Sequence, residues 1–257
     1  MRTTYLSTIV FLLTIVFVFT IQPLLFASVT FTWSDLPIAG ESSDYFPSGE
    51  AVFTVSGSNL TIRLTNTTED ETQALGELLS ILTWDIEGSG ITLTPISAVL
   101  GGSSVLFPTW SPPYTDLSGE WGFKNNISAG TLGSYGVGSV GDILDGLDSF
   151  GPGDRFNTGS DLFGPPGGSL DGVDASIINL NVASTFPPPG VGTPKPYAQN
   201  QMVFNFSFTG GLREELITNV TPLFGSDGAP LVPEPSSLLL LGSGLLGLAA
   251  LRLRKRS

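Results

Sequence analysis

The residues in this chain best suited to chemistry are its carboxylates. Asp142-Ile-Leu-Asp145-Gly-Leu-Asp148 places three acids at intervals of three, with Asp154, Asp161, Asp171 and Asp174 close behind. Calcium takes six to eight oxygens, and Asp- and Gly-rich loops supply them in exported proteins. Asp142, Asp145 and Asp148 are therefore the candidate metal ligands, and calcium the one candidate cofactor. Their spacing matches neither the alternate-position acids of an EF-hand nor the Gly-rich nonapeptide calcium repeat. Asp and Gly also occur together because both favour turns, and that reading is preferred. The other carboxylate chemistry is glycoside hydrolysis, which needs two carboxyls about 5–9 Å apart across a cleft. Asp85 and Glu87 share a strand face, but with 22 acids in the body some pair will meet that condition by chance. There is no His, so the commonest general base and metal ligand is missing. No Gly-x-Ser-x-Gly elbow stands between a strand and a helix. No catalytic residue is nominated, and the chain reads as a non-enzyme.

Aromatic side chains offer a different chemistry. Trp33, Trp84, Trp110 and Trp121 with Tyr114 invite stacking on sugar rings. Trp84 alternates with Leu82 and Ile86 and is expected in the core. Trp110 and Tyr114, flanked by Pro108, Pro112 and Pro113, are expected to be exposed and form the candidate sugar-binding pair. Packing in core or loops is the preferred role for the set. Asn59, Asn66, Asn126, Asn205 and Asn219 each begin an Asn-x-Ser/Thr triplet, which Ser- and Thr-rich sequence produces by chance.

The elements that must position these residues are strands. Apolar and polar residues alternate in Leu60–Thr65, Leu82–Glu87, Ile91–Thr94, Ile178–Val182 and Phe204–Phe208, as half-buried strands require. Val29–Trp33 and Ala51–Val55 read as strands too. Ser56-Gly57-Ser58-Asn59 and Gly88-Ser89-Gly90 carry turn chemistry and read as hairpin-like links. One polar and one apolar face on several strands predicts an all-β fold, a single β-sandwich of jelly-roll or Ig-like type. Helix signals are confined to a turn near Glu77–Leu79 and a short helix or connection at Leu212–Ile217. Residues 101–200 hold 19 Gly and 11 Pro, the level of loop-dominated sequence. Long irregular excursions or a mobile surface are expected there, with strands near Gly119–Phe123 and Gly133–Val140.

Charge and ends set the compartment. Residues 28–232 carry five cations against 22 acids, a net charge of −17. Such a body repels phosphate backbones, so nucleic acid is excluded as a partner. With no Cys, disulfides cannot stabilise it. Arg2 precedes an apolar run from Ile9 to Ile21, and Leu25-Phe26-Ala27-Ser28 follows Pro23. This pattern predicts a signal peptide over residues 1–27, cut between Ala27 and Ser28. The body is expected over 28–223 and a polar, flexible linker over 224–231.

The last 26 residues combine three signals. Pro233-Glu234-Pro235 is an extended knuckle, because two fixed φ angles and two missing donors oppose helix there. Ser236–Leu251 is an uncharged run which as a helix rises roughly 24 Å, short of a hydrocarbon core of about 30 Å. Arg252, Arg254, Lys255 and Arg256 close the chain as a cationic stop. Without further context this could be a simple tail anchor. In this order, however, the three parts resemble the PEP-CTERM tail of bacterial surface proteins. That resemblance implies recognition by exosortase, a membrane-embedded protease that cuts near Pro233-Glu234-Pro235. It also implies transient residence in the inner membrane of a Gram-negative-type envelope, then a cell-surface or extracellular-matrix location with exopolysaccharide as a partner. The alternatives are a carbohydrate-binding module, with or without calcium, and more remotely a carboxylate glycosidase.

Overall fold

A computed structural model describes residues 27–231 apart from 35–36, 39–45, 110–112, 145, 152, 158–169, 171–172, 185, 187–195 and 227. Its strands are β1 (Ala27–Trp33), β2 (Gly49–Ser56), β3 (Asn59–Asn66), β4 (Leu79–Ile86), β5 (Thr92–Leu100), β6 (Val105–Phe107), β7 (Gly122–Asn125) and β8 (Tyr135–Gly138). They continue with β9 (Asp142–Ile143), β10 (Asp148–Ser149), β11 (Ile177–Ile178), β12 (Tyr197–Gln199), β13 (Gln201–Thr209), β14 (Ile217–Phe224) and β15 (Ala229–Pro230). Single 3-10 turns at Leu75–Glu77 and Glu214–Leu216 fall where the sequence carries its weak helix signals. The fold is all-β.

Two sheets share one core. The first has five strands in the order β1-β2-β3-β13-β5, all antiparallel. Gly57, with φ 59°, turns β2 into β3 where the sequence places a hairpin. The second sheet runs β15-β14-β4 and then forks, one branch passing to β8 and β7 and the other through β11 and β12 to β6. Phe53 and Phe206 of the first sheet meet Trp84 of the second edge-on, at ring separations of 5.7 and 6.3 Å. Leu60, Ile62, Leu64 and Phe204 bury themselves in the same cluster as Leu82 and Trp84.

β4 is buried on both sides. Leu82 and Trp84 face the first sheet, while Ile81 joins a second cluster with Ile127, Val140, Ile143, Phe150, Leu170, Val173 and Phe186. The Gly- and Pro-rich middle therefore does more than loop outward. Its described residues lay an irregular apolar cover over the outer face of the second sheet. Where that sheet forks, hydroxyls supplement the backbone bonds. Ser139 donates its amide to the Ser80 carbonyl at 2.9 Å, and the Ser139 and Ser176 hydroxyls share a 2.7 Å bond. Ser80 in turn donates its hydroxyl to the Gly225 carbonyl at 2.7 Å. These groups are buried, and unpaired they would be costly.

Three expectations are corrected. Gly88-Ser89-Gly90 is not a hairpin: β4 and β5 lie in different sheets, and this link carries the chain between them. The alternation over Ile178–Val182 makes only the two-residue β11, with Leu180 exposed and Val182 in a single bridge to Thr72. Asn181 pairs its backbone with Thr72 there, and the Asn179 and Asn181 amides donate to the Asp70 and Glu69 carbonyls, so a partner loop replaces a strand. Finally, the described residues of 224–231, where a linker is expected, pair with the sheet. Phe224 is buried, Ala229–Pro230 pair with Leu223–Phe224, and Leu231 bridges Ile38. Gly225 and Gly228, with φ 75° and 62°, permit the tight return that folds this stretch onto the sheet.

Candidate functional site

Asp142 and Asp148 sit on one small hairpin, in β9 opposite Ser149 and in β10 opposite Ile143. Asp148 is already engaged. Lys124 on β7 donates its ammonium to Asp148 Oδ1 and also to the Ser149 carbonyl, at 2.8 Å for the latter. The Ser128 amide donates to Asp148 Oδ2 at 2.9 Å. Burial pushes the carboxyl pKa up, but the bonds from Lys124, Ser128 and Ser149, with the Lys124 charge, outweigh it and hold the group below its ordinary value. This carboxylate pins the hairpin to β7. Asp142 is exposed, and Asp145, Asp161 and Asp171 lie outside the described residues. Asp154 accepts the Gly151 amide at 2.7 Å, a turn-making bond. Among the described residues no group of three or more acids is arranged to hold a metal ion.

Asp85, paired on paper with Glu87, has its own structural partners. Its Oδ1 accepts the Ser134 amide and hydroxyl, each at 2.8 Å, and its Oδ2 accepts the Asn219 amide at 2.9 Å. Burial raises its pKa, but these three bonds win and the net position is below the usual carboxylate range. Asn219 has φ 50° and lies at the break in register between β14 and β4, so Asp85 staples a bulge on one side and the β8 approach on the other. Nothing in the local sequence signals this latch, because Ser134 and Asn219 lie 49 and 134 positions away.

The aromatic set divides. Trp84 is fully buried, stacked near Phe123 and Tyr135 at 6.4 and 6.2 Å, as its alternation predicts. Trp121 is also fully buried; its indole donates to the Ala175 carbonyl at 3.2 Å and its ring meets Phe204 at 4.8 Å. Trp33 is half-buried and lies flat over Gly49, where any Cβ would come within 2.3 Å of its ring. Trp110 lies outside the described residues. Tyr114 is half-buried and packs against the main core cluster.

The last candidate is the place where the tail leaves the body. Leu231 packs against the main core and closes the bridge to Ile38, which is itself buried. Pro233 follows two positions later. Pro233, Glu234, Pro235 and the basic residues Arg252, Arg254, Lys255 and Arg256 lie outside the described residues, as does the apolar run between them. No described helix is long and apolar enough to cross a membrane. Ala27 and Ser28, the expected cleavage point, open β1 as exposed residues opposite Val55 and Thr54. The family model of the PEP-CTERM protein-sorting motif matches residues 231–255. The chain carries a PEP-CTERM sorting motif. That motif marks it for export, exosortase processing and sorting to the cell surface. No curated protein and no solved structure is similar enough to match the chain. The PEP-CTERM match begins at Leu231, which is bridged to Ile38 of the folded body.

Proposed function

We propose that the chain is a secreted surface or matrix protein without catalysis of its own. In this reading an acidic β-sandwich is exported by the signal peptide over residues 1–27 and held by a membrane segment over 236–251. Exosortase then processes it at Pro233-Glu234-Pro235. The released or re-attached body works in an exopolysaccharide or biofilm matrix. The observation that carries the reading is the PEP-CTERM match over 231–255. Two further observations support it: the body carries a net charge of −17, which favours solubility at a crowded surface, and the Asp85 and Asp148 carboxylates are committed to structural bonds.

Intact mass of the protein recovered from the cell surface tests this directly. A C-terminus near residues 232–236 is expected. A chain that keeps Arg252–Ser257 would instead establish a permanent tail anchor and overturn exosortase processing. Retention of the body on exopolysaccharide from the same cells tests the matrix role, and free passage through such a column would remove it.

A further inference from the structure

We propose that the edge formed by β1 and β15 is the face that the body turns to the lipid headgroups while the tail holds it at the membrane. The inference rests on reading residues 236–251 as the membrane segment. It starts from strand order. β1 is one edge of the first sheet and β15 the same-side edge of the second, because Ile38, in the β1–β2 connection, bridges Leu231 just after β15. The opposite edges, β5 and β6, are joined by a turn of four residues, 101–104. Both membrane-directed ends of the chain therefore leave from one side. Ala27 starts β1, and Leu231 follows β15.

Covalent reach does the rest. Four residues separate Leu231 from Ser236, and the five Cα–Cα steps between them span at most about 18 Å. A body of 205 residues has a radius of gyration of about 17 Å and is roughly 40 Å across. With so short a tether the side that carries Leu231 cannot rotate away from the bilayer. Before the leader is removed, the six Cα–Cα steps from Ile21 to Ala27 impose a similar limit of about 20 Å at the other end of the chain.

The chemistry of this side fits a lipid surface. β1, β14 and β15 contain no ionisable side chain, in a body with 22 acids. Ser28, Thr30 and Thr32 are exposed along β1 and offer hydroxyls to headgroup phosphates and carbonyls. The described acids beside this side are Glu50, half-buried opposite Thr32; Glu214, whose Oε1 accepts the Val55 amide at 3.0 Å; Asp85, bonded to Asn219 of β14; and exposed Asp142, whose backbone adjoins Gly228 just before β15. The charge-free strands β1 and β15 are the part of an acidic body that headgroups resist least. The β5/β6 edge, with Ile96 and Val105 53% and 55% exposed, then faces outward.

The natural chain has no cysteine, so single labelling sites are clean. The full chain is reconstituted in phosphatidylcholine vesicles containing a nitroxide-headgroup lipid, with a bimane fluorophore at Thr30→Cys or, separately, at Val105→Cys. Severalfold stronger lipid quenching at position 30 is expected, with aqueous iodide showing the reverse order. Equal quenching at the two sites, or stronger quenching at 105, overturns the orientation. Thr32→Cys and Ile96→Cys repeat the pair should either first variant misfold. Wild-type chain that fails to float with the vesicles refutes the membrane-segment reading and this inference with it. Exosortase plays no part in the experiment, so failed cleavage in cells and failed orientation on vesicles remain separate results.

Discussion

The two sheets solve the same problem under different constraints. The five-stranded sheet packs one face on the core and leaves the other wet, so β13 alternates strictly, with Met202, Phe204, Phe206 and Phe208 buried and the residues between them half-buried. The second sheet is covered on both sides, by the first sheet and by the irregular middle of the chain. Two-sided burial leaves no solvent to satisfy polar groups. The second sheet therefore depends on Ser80, Ser139, Ser176 and Asp85 for bonds, and on glycines where backbones must touch. A one-faced sheet is specified by pattern, and a two-faced one by particular contacts.

The largest effect that follows falls on Trp84, which both sheets touch. Trp84→Ala should cost about 3–5 kcal/mol, a large share of the roughly 5–15 kcal/mol typical of a domain. Phe31→Ala, at the half-buried edge strand β1, should cost less than half of that. Urea unfolding of the two variants against wild type gives the ranking. If Phe31→Ala is as damaging as Trp84→Ala, the two-faced sheet holds no special place in the stability of the fold.

A smaller loss should come from glycines of the second sheet. A Cβ on Gly133 would stand 2.2–2.4 Å from the backbone of Trp84, which has no flexible end to move aside. A Cβ on Gly138 would meet the Phe150 ring at 2.5 Å. Gly133→Ala should destabilise by about 2–3 kcal/mol through overpacking, and Gly138→Ala by less, since a ring can shift. Gly57→Ala, in the β2–β3 turn, meets no atom within 4 Å and carries only the strain of its positive φ. Thermal melting of the three variants should rank them in that order.

The same contrast explains what could be read from sequence. β1, β2, β3 and β13 were legible because each keeps one wet face, and period-two alternation records that. β4 was legible as a strand, but its double burial was hidden. The cue was the nearly unbroken apolar run around Leu78-Leu79-Ser80-Ile81-Leu82, which marks a strand buried on both faces. β11 misled because Ile178–Val182 alternates but runs past the start of β4, which pairs only Leu79 with it, and past the three-residue β12. The folding back of residues 224–231 was masked by a Gly- and Pro-rich composition that suits spacers and tight returns equally. For the candidate sites, the PEP-CTERM tail was legible because its signals are contiguous. The Asp85 and Asp148 latches were not, since their partners come from remote parts of the chain and only the fold joins them.

The smallest predicted effect probes those latches. Asp85→Asn keeps one acceptor for Ser134 but turns a donor toward the Asn219 amide, so it should cost about 1–2 kcal/mol at neutral pH. The pH dependence fixes the cause. The folded-state pKa of Asp85 lies below the ordinary carboxylate value of about 3.9, so its contribution is complete above that value. It is lost as pH falls through the lowered folded value. The gap in stability between wild type and Asp85→Asn should therefore be constant from pH 7 to 5 and narrow below about pH 4. Asp148→Asn should narrow over the same window, because that carboxyl is lowered too. Unfolding midpoints at pH 3, 5 and 7 measure both. A gap that stays constant down to pH 3 would show that neither carboxylate stabilises the fold through its charge, and that the second sheet is held by packing alone.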